Sequence, residues 1–196
     1  MQKIDYRKAV NQDISDLINL RIQQLKDEGY PETKNIQADL HEYFLNNMSN
    51  NTLLCWVGTF ENRIIATAGL CIYQLPPTFS NPSGKIAYLT NVYTADEYRK
   101  KGIASYLIET LLNEAKTRNF SAVRLHASQL GQSVYKKLGF IETSGYMDLK
   151  FWIHSSVYKR NTEVLSKKRN QEMTPTFKIS ISRFQTIRHL PVSFLN

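Results

Sequence analysis

The chain is poor in cysteine and has no long apolar run. Only Cys55 and Cys71 occur among 196 residues, and both lie in apolar stretches. Two buried thiols fit a reducing compartment better than a disulfide scaffold, although the sequence also allows a single bridge. No apolar run approaches the roughly 20 residues that span a bilayer, and the first residues, MQKIDYRKAVNQD, lack the apolar core of a signal peptide. We therefore expect a cytoplasmic protein without a membrane partner.

Two nucleotide-binding patterns are missing as well. The chain contains neither G-x-x-x-x-G-K-[ST], which forms phosphate-binding loops, nor G-x-G-x-x-G, which opens dinucleotide-binding folds. Their absence argues against a nucleoside triphosphatase and against a dinucleotide-dependent dehydrogenase. We predict no metal site.

Positive charge is distributed unevenly. The net charge is +8, but residues 151–196 hold eight of the 25 Lys and Arg and only two of the 17 Asp and Glu. The basic character therefore belongs to the C-terminal part of the chain. We predict a folded domain over residues 1–150 and a basic extension over residues 151–196. We do not expect nucleic acid as a partner.

The extension has no pattern that continues the domain. Its segment TFKISISRF (176–184) alternates apolar and polar residues, as an edge strand does. Three interpretations stay open: an arm for nucleic acid or an acidic partner, a strand that forms a homodimer, and a poorly ordered or locally packed segment. The last is favoured, and DNA binding with a steep salt dependence would support the first.

Hydrophobic periodicity divides residues 1–150 into helices and strands. It predicts helices from residue 13 to the EGYP break and over 34–48, the first capped by Asn11 or Asp13. Strands are predicted at 3–7, 52–60, 63–73 and 85–93, with FENR as a tight turn. A helix from 103 ends at Asn119, a strand covers 121–127, a helix over 131–138 ends in LGF, and a strand covers 142–151. This order predicts an α/β domain around one mixed sheet.

The segment YRKKGIAS (98–105) places three cations at the start of the predicted long helix. A helix N-terminus already carries partial positive charge, so cations there are unfavourable unless an anion lies between them. Gly102 and Ala104 keep the turn bare, so a phosphate could approach the backbone closely. The alternative is a solvated basic turn that Asp96 and Glu97 partly neutralise.

Together with its surroundings, this turn resembles a known family. The segment NVYTADEYRKKGIASYLIETLLNEA resembles the coenzyme A motif, [RQ]-x-x-G-x-[GA], of the GNAT superfamily of acyl-CoA N-acyltransferases. The segment RLHASQLGQSVYKKLGF resembles the second conserved block of that family. The resemblance covers residues 4 to 149 and implies a mixed, mostly antiparallel sheet, splayed between its fourth and fifth strands and flanked by helices.

The resemblance also implies a set of cofactor-binding residues. The pyrophosphate of acetyl-CoA would bind the turn through backbone N–H groups at Arg99, Lys100, Lys101, Gly102, Ile103, Ala104 and Ser105. The family usually has Gly near position 100, where this chain has Lys. A bulge would end the fourth strand, with Thr94 pairing with pantetheine and the Val92 N–H facing the thioester carbonyl. Ser128 would face the cofactor.

The resemblance further implies the chemistry. Tyr135 would donate a proton or hydrogen bond to the departing thiolate, so Tyr135 and Val92 are the predicted catalytic residues. No general base is assigned. Some members of the family carry Glu where this chain has Tyr88, and Asn91 cannot act as a base. A structural role is favoured for His126, although a histidine ordinarily titrates in a range that suits a base, and a water chain that ends at the surface would also serve. The acceptor site would lie between EGYPETKNI (28–36) and QLPPTFSNPSG (74–84).

The expected function is transfer of acetyl from acetyl-CoA to a primary amine of a small molecule or a protein, by direct attack. The alternative is a catalytically weak module that binds or senses acyl-CoA, since the carboxylate on the fourth strand is missing. The sequence does not name the acceptor.

Overall fold

Five strands form one sheet in the computed structural model, which describes residues 3–143. In spatial order they are β1 (Asp5–Lys8), β2 (Leu53–Phe60), β3 (Arg63–Gln74), β4 (Lys85–Thr94) and β5 (Val123–Arg124). The first four pair antiparallel, and β5 pairs parallel with β4. The predicted α/β class with a mixed, mostly antiparallel sheet is confirmed.

Within residues 3–143, four α-helices accompany the sheet: α1 (Ile14–Asp27), α2 (Gln37–Ser49), α3 (Ile103–Thr117) and α4 (Gln132–Lys137). Successive residues of a strand face opposite sides, and β2 shows which helices lie on each side. Leu53, Cys55 and Val57 pack with α1 and α2. Leu54, between them, packs instead with α3. The sheet is therefore a middle layer between α1–α2 and α3.

Local turn chemistry fixes several ends of elements. The β2–β3 hairpin turns through Glu61 and Asn62, whose φ angles of 49° and 61° match the twist of the two strands. Asn119 ends α3 with φ 59°, and Gly139 ends α4 with φ 86°. The Phe140 N–H returns to the Tyr135 carbonyl at 3.0 Å, which is the expected closing bond. The predicted ends of α3 and α4 are therefore confirmed.

A bulge interrupts β4 before its last residues. Thr67 pairs with Tyr93, while Gly69 pairs with Thr90, so two β4 residues lie opposite a single β3 residue. Asn91 is one of the two and has φ 49°. An extra residue of this kind bends a strand and re-aims its end. The bulge lies where the resemblance implied it.

Strand β5 is shorter than predicted. It covers Val123–Arg124 rather than 121–127, because it pairs only with Ala87 and Tyr88 of β4. Beyond Tyr88 the two strands separate, so the splay between the fourth and fifth strands is confirmed. Of the predicted strand over 142–151, only residues 142 and 143 are described, and neither is in a strand. The boundary at 150 and the extension lie outside the described residues.

Within residues 3–143, no helix combines the length and the apolar character needed to cross a membrane. Both cysteines are free thiols. Cys55 is buried against the hydroxyl of Thr67 at 3.3 Å, and burial raises the pKa of its thiol to about 11. Such a thiol is inert at neutral pH.

Candidate active site

One cavity of about 550 Å³ brings together most of the predicted residues. It lies where the end of α1, the end of β4, the start of α3 and α4 meet. Its lining includes ten of the eleven predicted site residues, namely Val92, Thr94, Arg99, Lys100, Gly102, Ile103, Ala104, Ser105, Ser128 and Tyr135. Lys101 does not line it.

The start of α3 faces this cavity with free amides. The first hydrogen bond within the helix is from the Tyr106 N–H to the Gly102 carbonyl at 3.1 Å, so three earlier N–H groups have no partner in the helix. No side chain of the described part of the chain caps this end. A Cβ atom at Gly102 would meet nothing within 4 Å, so the approach is open. Free amides at a helix N-terminus bind anions.

The three cations of the turn have different surroundings. Arg99 donates from Nε to the Thr94 carbonyl at 3.0 Å and also pairs with Asp27 and Asp96. Lys101 donates to the Glu97 carbonyl and lies over the ring of Tyr98. Lys100 lines the cavity and has φ 62°, a conformation that favours glycine.

The open edge of β4 forms a second wall. Ala95 donates to the Ile65 carbonyl at 2.8 Å, so the pattern of an antiparallel ladder turns the amide of Thr94 away from β3. Val92, two residues earlier, lies in the bulge. The hydroxyl of Thr94 is buried and has no hydrogen-bond partner within residues 3–143. An unsatisfied hydroxyl beside the outward-facing amide of Thr94 suits a ligand that carries amide groups.

Tyr135 lies on α4 and reaches into the cavity. Its ring contacts Phe140 edge-on, with 5.8 Å between ring centres. Burial, and then the negative charge of Glu28 and the nearby Tyr88, raise the pKa of Tyr135 to about 12. The phenol therefore keeps its proton at neutral pH. Ser128 also lines the cavity, but its hydroxyl accepts the Gly131 N–H at 3.3 Å and so supports the start of α4.

Three polar residues of the lining lie at the end of α1, and the sequence predicted only one of them, Glu28, as part of the acceptor wall 28–36. Gln24, Asp27 and Glu28 end α1 at spacings of three and four residues, so they share one helix face. That spacing was the available signal. Hydrogen bonds from Gln23, Arg99 and Tyr93 hold the pKa of Asp27 below its usual range.

The two segments predicted to form the acceptor site, 28–36 and 74–84, lie in different places relative to the cavity. Of residues 28–36, only Glu28 lines the cavity around Tyr135; residues 30 to 36 line a separate cavity of about 760 Å³ beside α1. No residue of 74–84 lines either cavity. His126 is exposed and lines neither cavity. The position of the acceptor therefore remains a prediction.

Comparison with known proteins identifies the family. The model of the acetyltransferase (GNAT) family matches residues 19–140. The chain therefore belongs to the GNAT acetyltransferase family, whose cofactor is acetyl-CoA. The prediction of an acyl-CoA-dependent N-acetyltransferase is confirmed at the level of the family.

Solved structures of acetyltransferases are similar to this chain. The structure of a predicted acetyltransferase with acetyl-CoA from Clostridium acetobutylicum is 42% identical, with a TM-score of 0.73 over 76% of this chain and 96% of that one. Glucosamine-6-phosphate N-acetyltransferase from Arabidopsis thaliana is 21% identical, with a TM-score of 0.61 over 76% of this chain and 99% of that one. The second likeness shows the fold alone.

A curated relative matches only in part. N-acetyltransferase 8B of Rattus norvegicus is 24% identical over 123 residues, which are 61% of this chain and 54% of that protein. The chain thus spans about half the length of this relative.

Proposed function

We propose that this chain transfers an acetyl group from acetyl-CoA to a primary amine of a small molecule or a peptide, by direct attack in a ternary complex. The observation that carries the proposal is the cavity, because it joins the open edge of β4, the uncapped start of α3 and the hydroxyl of Tyr135 in one space. A thioester and an amine need such a shared space for attack.

The residues at the start of α3 fit the phosphates of the cofactor. The N–H groups of Ile103, Ala104 and Ser105 would hold the pyrophosphate, and Lys100 would add positive charge. Acetyl-CoA supplies the activated acyl carbon. The amide and buried hydroxyl of Thr94 would hold the pantetheine amides along β4.

Val92 would stabilise the charge that develops during attack. Its N–H would donate to the thioester carbonyl oxygen, which gains negative charge as the amine adds. A donor of this kind is most useful when it is fixed before the reaction. The β4 bulge at Asn91, immediately before Val92, provides that fixed geometry.

Tyr135 would act as a hydrogen-bond donor to the departing sulfur. Its pKa of about 12 lies roughly three units above that of an ordinary thiol, near 8.5, so complete proton transfer to the thiolate is unfavourable. A hydrogen bond lowers the energy of the thiolate without that transfer. The proton that finally neutralises the sulfur would come from the attacking nitrogen.

Thermal melting with and without acetyl-CoA, followed by a thiol-release assay with amines, tests the proposal. A ligand at about 100 times its Kd should stabilise the fold by about 2.7 kcal/mol, or roughly 5–10 °C for a chain of this size. Tyr135→Phe should lower kcat about 10- to 100-fold with the Kd for acetyl-CoA unchanged.

The matched control is Tyr106→Phe, because Tyr106 is 49% exposed and lies outside the cavity lining. It should keep full turnover. Binding of acetyl-CoA without thiol release from any amine would favour the alternative, a module that only binds acyl-CoA. Absence of a melting shift at saturating acetyl-CoA would contradict the proposed function itself.

A further inference from the structure

Glu28 lies where the end of α1 meets the cavity. It directly follows the last residue of the helix and lines the same space as Val92 and Tyr135. The end of α1 is held against β4, because Asp27 accepts a hydrogen bond from the Tyr93 hydroxyl at 2.9 Å. The backbone of Glu28 is therefore fixed relative to the strand that carries Val92.

One oxygen of the Glu28 carboxylate is oriented by a chain of two hydrogen bonds. Oε1 accepts from Gln24 Nε2 at 3.0 Å, and Gln24 Oε1 accepts from Arg21 Nη1 at 3.0 Å. Gln24 is buried, with 8% of its surface exposed. Within residues 3–143, the carboxylate of Glu28 has no other hydrogen bond and no ion pair. Its second oxygen is available to a ligand.

No cation of the described residues forms an ion pair with the Glu28 carboxylate. The other charged groups of the cavity are Asp27, Arg99, Lys100 and Lys137, and its phenols are Tyr93, Tyr98 and Tyr135. Arg99 is engaged with Asp27 and Asp96, and none of the described cations pairs with Glu28. The charge of Glu28 acts instead on Tyr135, whose pKa it helps to raise. An unpaired carboxylate in a partly enclosed space attracts a cationic ligand.

We propose that Glu28 binds the acceptor as a primary alkylammonium ion and removes the proton that blocks its attack. This inference rests on the proposed function and names its missing general base and the class of its acceptor. A lysine-like amine has a pKa near 10.4, so at pH 7 fewer than about one molecule in a thousand has a free lone pair. A carboxylate that both holds and deprotonates the ion answers this difficulty.

The reaction balances without a further reactant. One proton passes from the ammonium to a Glu28 oxygen, directly or through one water, and the freed lone pair forms the bond between nitrogen and the acyl carbon. The carbonyl electrons move to oxygen, at the Val92 N–H. Their return breaks the C–S bond. A second proton leaves nitrogen for the thiolate, and Glu28 releases its proton to solvent, so the products are an amide, a thiol and one proton.

The test compares Glu28→Gln with the native enzyme, using 4-methoxybenzylamine and 4-methoxyaniline as acceptors. The benzylamine is a cation at neutral pH, whereas the aniline is neutral and needs no deprotonation before attack. Gln keeps the size of the side chain and an oxygen that can accept from Gln24. Glu109→Gln is the matched control, because Glu109 is exposed on α3 and lies outside the cavity lining.

Glu28→Gln should lower kcat/KM for the benzylamine at least about 100-fold at pH 7, and for the aniline less than about fivefold. Its rate with the benzylamine should rise about tenfold per pH unit from 7 to 9, as the free amine becomes more abundant. Isothermal titration of the benzylamine into CoA-saturated protein should show at least tenfold weaker binding to the variant. The Kd for acetyl-CoA should stay within twofold.

Two kinds of failure can be told apart. If acetyl-CoA neither binds nor stabilises the native enzyme, the proposed function fails. If the native enzyme binds acetyl-CoA, three results overturn the role of Glu28 alone. The first is an equal loss of kcat/KM with both amines in Glu28→Gln. The second is unchanged turnover in Glu28→Gln. The third is a native enzyme that releases thiol with the aniline alone, or with neither amine.

Discussion

The guanidinium of Arg99 donates to the carboxylate of Asp27, and this contact joins positions 72 residues apart in the sequence. The same carboxylate accepts from Tyr93, and Arg99 also binds the Thr94 carbonyl. One arginine at the head of the coenzyme A motif thus ties the end of α1 to the end of β4. Its direct contact with the cofactor remains a prediction.

A double-mutant cycle separates these two roles of Arg99. Arg99→Ala and Asp27→Ala should each lower the free energy of unfolding by about 0.5–1 kcal/mol, because both side chains are partly exposed. The double variant should lose less than the sum of the two single losses, since both single variants remove the Arg99–Asp27 contact while each also removes contacts of its own. Urea unfolding measures this.

Affinity for acetyl-CoA then decides whether Arg99 also binds the phosphates. If it does, Arg99→Ala weakens binding clearly more than Asp27→Ala. If the guanidinium serves only the tie to α1, both variants change the Kd equally, and the predicted contact with the cofactor is wrong.

Gly102 should tolerate no acidic side chain. Gly102→Glu would place negative charge beside the proposed pyrophosphate, so we expect acetyl-CoA affinity to fall at least about 100-fold, as judged by isothermal titration. Gly102→Gln is the matched control, because both variants share the strain of a side chain at φ 79° and the same bulk. Gln should bind at least about tenfold more tightly than Glu. Equal affinity of the two variants would show that no phosphate lies at this turn.

Gly131 should set the position of Tyr135. A Cβ atom there would lie 2.7 Å from Tyr135 Cε2, which is closer than real contacts allow, so the phenol must move. We expect Gly131→Ala to lower kcat about tenfold, with the Kd for acetyl-CoA changed less than about threefold. The effect on kcat should nearly disappear in a Tyr135→Phe background. A loss of the same size in both backgrounds would mean that Gly131 acts by another route.

Asp13 should make stability depend on acid pH. Its carboxylate accepts from Arg7 at 2.6 and 2.9 Å and from the Val10 N–H at 2.8 Å, and these bonds, that of Arg7 above all, lower its pKa in the folded state. Because the pKa is lower in the folded state, ionised Asp13 stabilises the fold. The stabilisation is complete when the pH lies above the unfolded-state pKa near 3.9, and it is lost as the pH falls through the folded-state pKa.

Asp13→Asn should therefore reduce the free energy of unfolding by about 1–2 kcal/mol at pH 7, since Arg7 is half-exposed and its pairing is partly screened. The difference from the native protein should shrink below about pH 4, as followed by urea unfolding from pH 3 to 7. Asp39→Asn, at an exposed position of α2, is the control. A difference that stays constant down to pH 3 would contradict the role of the charge.

Features with local causes could be predicted from the sequence. The FENR hairpin, the stop at Asn119 and the LGF ending depend on a few neighbouring residues, and each forms as expected. Asp13 occupies the N-cap position of α1, as predicted, but without the capping bond. Its side chain makes no such bond because Arg7 and the Val10 N–H occupy its oxygens.

Features that depend on distant contacts could not be predicted. The predicted fifth strand loses most of its length because β4 provides only two paired residues. The acidic end of α1 reaches the cavity only when α1 packs across the sheet. No local pattern links Glu28 to Tyr135, which lies more than a hundred positions later in the sequence.

The separation of β4 from β5 leaves part of β4 without a neighbouring strand in the described sheet. Between Leu89 and Thr94, β4 has backbone groups that a neighbouring strand would ordinarily satisfy. On the proposed mode of binding, acetyl-CoA takes the place of that strand. The supply of acetyl-CoA would then determine what fraction of the molecules has these backbone groups of β4 hydrogen-bonded. Starvation for the acyl donor would then lower both the activity of the enzyme and its resistance to unfolding and proteolysis.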